Sequence, residues 1–151
     1  MMDFNKAMKA GMLAAKKARQ NKNEIENVIA GLNKEVRSLS NDTVELKITS
    51  EKKLSPKINQ LAVGLSALTG VSPYIEYQAI SINKIERPSA KEILAEFRVN
   101  PSDGYPCVIS YNNKDIACRD IKTLMEALNN LMADAQTGEK LLGLLPSEGV
   151  E

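Results

Sequence analysis

Apolar positions recur at helical spacing over residues 4–39. Stepping alternately by four and three residues picks out Phe4, Met8, Gly11, Ala15, Ala18, Lys22, Ile25, Ile29, Leu32, Val36 and Leu39. A stripe of this kind belongs to a helix packed along its length against another helix. Its second half is the stronger seam. There the β-branched Ile29 and Val36 share one core position and Ile25, Leu32 and Leu39 the other, a combination that favours parallel two-stranded pairing. The first half is softer, because Gly11, Ala15 and Ala18 bury little area. Lys22 falls on the stripe within the polar run RQNKNEIEN, and Asn23 followed by Glu26 has the form of an N-cap with a capping-box partner. Two versions therefore stand. One is a single helix of about 36 residues, roughly 54 Å long at 1.5 Å per residue; the other is a helical hairpin that turns near Asn21–Asn23.

Beyond NDT at 41–43 the period changes. Val44, Leu46 and Ile48 alternate with Glu45 and Lys47, which predicts a strand with one buried face. Ser55, Pro56, the apolar set Ile58, Leu61, Ala62, Leu65 and Leu68, and the stop at Gly70 predict a helix over 56–69. The β-branched and aromatic run YIEYQAISINKI at 74–85 predicts a strand whose alternation slips between Ala79 and Ile80, where a bulge would fit. Residues 89–99 carry two signals. Ser89 with Glu92 resembles a capping box, while Ile93, Ala95, Phe97 and Val99 alternate, so a short helical turn leading into a strand from Ile93 is expected.

In GYPCVISYNNKDIACRD, residues 104–120, two apolar runs flank Asn112-Asn113. Asn tolerates the left-handed backbone of a type I′ turn, which predicts a two-residue hairpin. Its register pairs Tyr111 with Lys114, Ile109 with Ile116, and Cys107 with Cys118. Asp120 then caps a helix with Ile121, Leu124, Met125, Leu128, Leu131 and Met132 on one face, TGEKLLGLL forms a further short helix, and PSEGVE is a loose tail. Strands joined by short connections imply an antiparallel sheet with helices on one face, an α+β fold. The expected organisation is an N-terminal helical arm over 1–40, an α+β body over 41–146 and a tail over 147–151.

Bulk properties narrow the class. A chain of 151 residues, 43% hydrophobic and 26% charged, suits one domain with its own core plus an appendage. Lys9 and Gly11 interrupt any continuous apolar leader near the start, so a cytoplasmic location is expected. Net charge is only +1, but Lys6, Lys9, Lys16, Lys17, Arg19 and Lys22 stand against Asp3 alone in residues 1–22. In a paired helix these cations would flank the seam and could grip phosphates, the one nucleic-acid reading available. A single arginine and no Asn or Gln array beside it argue against base reading. Phe4, Met8, Met12 and Leu13 with flanking lysines make only a weak membrane-surface segment, and no membrane association is expected.

Candidate chemistry is thin. The two cysteines, Cys107 and Cys118, fall at a hydrogen-bonded site of the hairpin, with Cα atoms about 5.5 Å apart and side chains less well aimed for bonding. They are read as a pair of buried core thiols rather than a disulfide or a redox motif, since their spacing is not that of CxxC. The chain has no histidine, which removes the commonest general base and leaves no complete metal ligand set. Glu24 with Glu26, and Asp115 with Asp120, sit beside caps or turns where solvated acids belong. No phosphate-binding glycine loop occurs. Neither a catalytic site, a cofactor nor a metal is expected.

The expectation that follows is a non-enzymatic interaction or adaptor protein. It would be homodimeric through Ile25, Ile29, Leu32, Val36 and Leu39, and its body would bind another protein. In size and lack of motifs it is what many accessory proteins of bacteria and phages look like, although no residue carries that likeness. The alternative is a nucleic-acid-associated protein that uses Lys6, Lys9, Lys16, Lys17 and Arg19. A small hydrolase or transferase, recognisable by a deep pocket lined with carboxylates or lysines, is disfavoured by the missing histidine.

Overall fold

One helix, α1, runs unbroken from Phe4 to Leu39 in the computed structural model, which describes residues 2–54 and 74–146. The hairpin version is not adopted. Asp3 caps α1 by accepting from the Lys6 N–H at 3.1 Å, and the chain leaves it through Asn41 and Asp42, both with positive φ. Asn tolerates that backbone at low cost, which suits it to a helix exit. The polar break at 20–23 has a different purpose from capping. Asn21 Nδ2 donates to the Asp103 carbonyl at 2.9 Å and Lys22 Nζ to the Pro101 carbonyl at 2.6 Å. Asn21 and Lys22, in the stretch where a hairpin turn was the alternative, instead anchor a distant turn on the middle of the helix.

The sheet is a five-stranded antiparallel meander in the order β1 (Val44–Leu54), β2 (Tyr74–Lys84), β3 (Lys91–Asn100), β4 (Gly104–Tyr111), β5 (Lys114–Cys118). Two helices close the fold, α2 (Ile121–Ala133) and α3 (Ala135–Leu144). The expected α+β architecture is therefore observed. The helix expected over 56–69 lies outside the described residues.

Register explains which face is buried. Leu46 pairs with Ile82, Ile48 with Ile80, Ile80 with Ala95, Phe97 with Ile109, and Cys107 with Cys118. Paired residues share a face, so these side chains form one apolar layer. That layer makes a single core with Ile25, Ile29 and Val36 of α1, Leu124, Ala127, Leu128 and Leu131 of α2, and Leu144 of α3. The opposite face is polar and paired with itself: Thr49 with Ser81 at 2.7 Å, Lys53 with Glu96 at 2.8 Å, and Lys91 with Glu51 at 2.6 Å. Lys91, and after it Thr49, holds the Glu51 carboxyl below its ordinary range by hydrogen bonding.

Three local expectations change. Strand β1 extends to Leu54, well past the alternating stretch, because β2 pairs with it all the way back to Tyr74. Segment 89–92 does not make a helical turn, since β3 already starts at Lys91 and pairs there with Asn83. The bulge falls one residue later than expected, and its extra residue is on β3. Ile80 faces Ala95 and Ser81 faces Ile93, which leaves Leu94 between them, buried in the core. Lys140 of α3 donates to the Ile93 carbonyl beside this bulge at 2.7 Å.

Candidate interaction surfaces on the arm and the cleft

Helix α1 divides at its anchor. From Asp3 to Lys17 every residue is exposed, a projecting arm about 25 Å long when counted to Gln20 at 1.5 Å per residue. Ala7, Ala10, Ala14, Ala15 and Ala18 are strong helix formers that favour its helical state without cover. Phe4 and Leu13 are 70% exposed, and Met8 and Met12 62%. Phe4, Met8 and Met12 project to one side of the helix, Leu13 to the other, and exposed apolar side chains grouped in this way commonly mark a contact surface.

The body holds the other half. Of the five expected dimer-seam residues, Ile25, Ile29 and Val36 are buried in the core of their own chain, Leu32 is half-buried against it, and Leu39 is 68% exposed. The heptad-like stripe reports an apolar flank, and a sheet covers most of that flank here. Phe4, Met8, Gly11 and Ala15 of the same stripe remain exposed.

The clamp between the two halves is the β3–β4 turn. Besides the bonds from Asn21 and Lys22, Tyr105 Oη donates to Glu24 Oε1 at 2.7 Å. Burial first, and the Glu24 carboxylate second, push the Tyr105 hydroxyl's pKa upward. Gly104 has φ +84, and a Cβ there would stand 3.1 Å from Asn21 Cβ and 3.4 Å from the Lys22 nitrogen, so a side chain would be strained both by conformation and by space.

Beside α1 the sheet opens into a cleft of about 1080 Å³. Its origin is topological. The β2–β3 register ends at Ala79 with Glu96, yet β2 reaches back to Tyr74 and β3 continues to Asn100. The strands part below that pair. Ile75 and Gln78 form one wall and Phe97 and Val99 the other, with Leu46 and Ile48 of β1 and Ile29, Ala30 and Asn33 of α1 alongside. Asn33 also ties helix to sheet by accepting from the Leu46 N–H at 2.8 Å. Charged side chains rim the cleft with both signs, Lys22, Lys47 and Arg98 against Glu26 and Glu76, while Lys53 and Glu96 there satisfy each other. A smaller groove of about 550 Å³ lies between α1 and α2, around Val28, Ile121 and Met125.

The remaining sequence candidates are placed as follows. Lys6, Lys9, Lys16, Lys17 and Arg19 are all exposed on the arm. Cys107 and Cys118 face each other across the hairpin, both fully buried and both free thiols, and Asn112 and Asn113 carry the positive φ that the turn requires. Burial, and then Cys118, pushes the Cys107 thiol up to about 12, and burial raises Cys118 as well. Asp115 accepts from Ser110 Oγ at 2.6 Å, and Asp120 makes a reciprocal capping box with Thr123. These two carboxylates serve turn and cap. Among the described residues no group of three or more His, Cys, Asp or Glu side chains could hold a metal ion, and no helix is long and apolar enough to cross a membrane. The cleft was not foreseen from the sequence, because it arises where two consecutive strands, β2 and β3, cease to pair partway along their length.

Comparison with known proteins adds no kinship: no family model, curated protein or solved structure matches the chain.

Proposed function

We propose that this chain is a non-enzymatic interaction protein, an adaptor that pairs with a second copy through the arm of α1 and presents its α+β body to another protein. The observation that supports it is the arm itself. A helix held firmly at residues 21–36 extends a further 17 residues, 4–20, carrying four exposed large apolar side chains that its own body leaves uncovered. Burying them on another chain recovers the hydrophobic free energy they otherwise forgo, roughly 1.5–3 kcal/mol for each fully covered side chain. The seam sits nearer the N-terminus than the sequence pattern alone suggests, since Ile25, Ile29 and Val36 are taken by the core.

Light scattering on the full chain tests the reading. A dimer is expected, and Met8→Glu combined with Met12→Glu, both at exposed positions, should convert it to a folded monomer. A monomer for the unaltered chain at tens of micromolar sinks the proposal.

A second reading draws on the exposed cations. Lys6 and Lys17 lie on the flank of α1 opposite Phe4 and Met8, with Lys9 and Lys16 to one side, where pairing through Phe4 and Met8 would leave them free for phosphates. Its signature is affinity for duplex DNA or RNA that falls steeply with salt and drops when Lys16 and Lys17 become Gln. Affinity insensitive to both changes removes it.

A further inference from the structure

The two strands that part at the cleft remain strands because each keeps its outer neighbour. β2 pairs with β1 back past Ile75, and β3 pairs with β4 on to Val99, although the two lose each other beyond Ala79 and Glu96. Backbone alternation fixes which groups face the gap. The Lys84 N–H donates to the Ala90 carbonyl at 3.0 Å, so Lys84 turns its backbone toward β3, and so does every second residue back along β2, down to Gln78 and Glu76. On the other side, the two-residue turn makes Tyr111 and Lys114 a hydrogen-bonded pair. β4 therefore turns Ser110 and Val108 toward Glu96 and Arg98, which leaves Phe97 and Val99 turned to the gap. The N–H and C=O groups of Glu76, Gln78, Phe97 and Val99 thus form two open strand edges that face each other, and no strand meets them among the described residues.

Resting on the reading that the body is presented to another protein, we infer that the cleft takes an extended segment of that partner, inserted as a strand between β2 and β3. Open edges recognise another backbone. A helix has already bonded its own backbone groups, and an apolar small molecule has none to offer. The walls specify the side chains of the segment. Phe97 and Val99 share the face turned to α1, where Ile25, Ile29, Leu46 and Ile48 also line the cleft, and Val99 is left 36% exposed there. Residues of the segment that point this way are apolar. The other face is cationic, with Lys47, Lys53 and Arg98 against Glu96. Lys53 satisfies Glu96 at 2.8 Å, whereas the nearest carboxylate to Arg98 among the described residues is Asp115 at 4.0 Å. Residues that point that way are acidic. Successive side chains of a strand alternate between faces, so the segment alternates apolar with acidic residues. The cleft's volume of about 1080 Å³ is ample for it, since sites that enclose a bound molecule span roughly 300–1,000 Å³.

The probe is an end-capped peptide alternating valine and glutamate over about seven residues, roughly 23 Å at 3.3 Å per residue, titrated against the full chain by fluorescence anisotropy. It should bind about tenfold more tightly than its valine–lysine counterpart, and N-methylation of alternate backbone nitrogens should weaken it about tenfold. Arg98→Glu, at an exposed position, should reverse the preference between the two peptides. Amide exchange reads the edges directly. The amides of Glu76, Gln78, Phe97 and Val99 should exchange freely in the chain alone and become protected with the peptide, while those of Tyr77 and Arg98, bonded to β1 and β4, should be protected in both. Indifference to N-methylation, or protection of those four amides in the chain alone, overturns the inference. So does failure of the acidic peptide to bind at millimolar concentration; a dimer by light scattering in that case leaves the pairing reading standing. A monomer that takes the acidic peptide supports the inference and removes the pairing alone.

Discussion

Truncating Ile25 to Ala asks whether the second half of α1 belongs to the core of its own chain or to a seam between chains. Ile25 is 3% exposed, and its Cδ1 stands 3.4 Å from where a Cβ on Gly104 of β4 would lie. Ile25→Ala removes three carbons, roughly 2.4 kcal/mol of transfer free energy at about 0.8 kcal/mol each. The void left behind raises the cost further, and large-to-small changes of this kind span about 2–5 kcal/mol. Ile25 borders the cleft, where neighbours have room to relax, so about 3 kcal/mol is expected. For a chain of this length that lowers Tm by roughly 6–12 °C, at about 2–4 °C per kcal/mol. Urea unfolding followed by circular dichroism measures the change, and light scattering on the same variant should find the association state unaltered. A loss under about 1 kcal/mol, the scale of an ordinary surface substitution, accompanied by dissociation, would place Ile25 between chains and refute the division of α1 described above.

Further outcomes follow from the same geometry. Gly104→Ala, with a positive φ and a Cβ 3.1 Å from Asn21 Cβ, should cost about 1–3 kcal/mol in thermal melting and loosen the turn that clamps α1. Asp120→Ala removes the α2 cap and should lower the melting temperature. Hydrogen bonding from the Thr123 backbone holds the Asp120 pKa below its ordinary value, so the contribution of this cap is complete above pH about 4 and fades as pH falls through the folded value; the variant's melting temperature should therefore depend less on pH in that acid range. The opposite sign applies to the thiols. The folded Cys107 pKa is raised to about 12, and that of Cys118 is raised too, so their contribution is complete below pH about 8.5 and is lost as pH rises toward 12. Cys107→Ala/Cys118→Ala should flatten the alkaline loss of stability, and an unchanged alkaline limb would contradict the assignment.

Elements built from neighbouring residues were legible in the sequence. The Asn112-Asn113 turn fixes its register by local backbone chemistry, so the opposed thiols follow from counting outward. The Asp120 cap and the unbroken phase of α1 are local in the same sense. What needed the fold was information about who covers whom. A 4-3 stripe specifies an apolar flank but not whether a helix or a sheet meets it, and the sheet takes Ile25, Ile29 and Val36. Segment 50–54 carries no apolar alternation, yet it is a strand because β2 pairs with it; the Ser89–Glu92 helix signal gives way to pairing of Lys91 with Asn83. The cleft was beyond reach for the same reason. It exists because two strands stop pairing at Ala79 and Glu96, a property that neither strand carries in its own residues.

The division of α1 is tested most directly by amide hydrogen exchange along the helix as protein concentration is varied. Residues 21–36, packed on the sheet, should be protected to the same degree at every concentration, whereas the amides of 4–20 should exchange freely in dilute solution and slow markedly once copies pair. Protection of 4–20 that does not change with concentration, or its absence even in concentrated solution, would contradict the account.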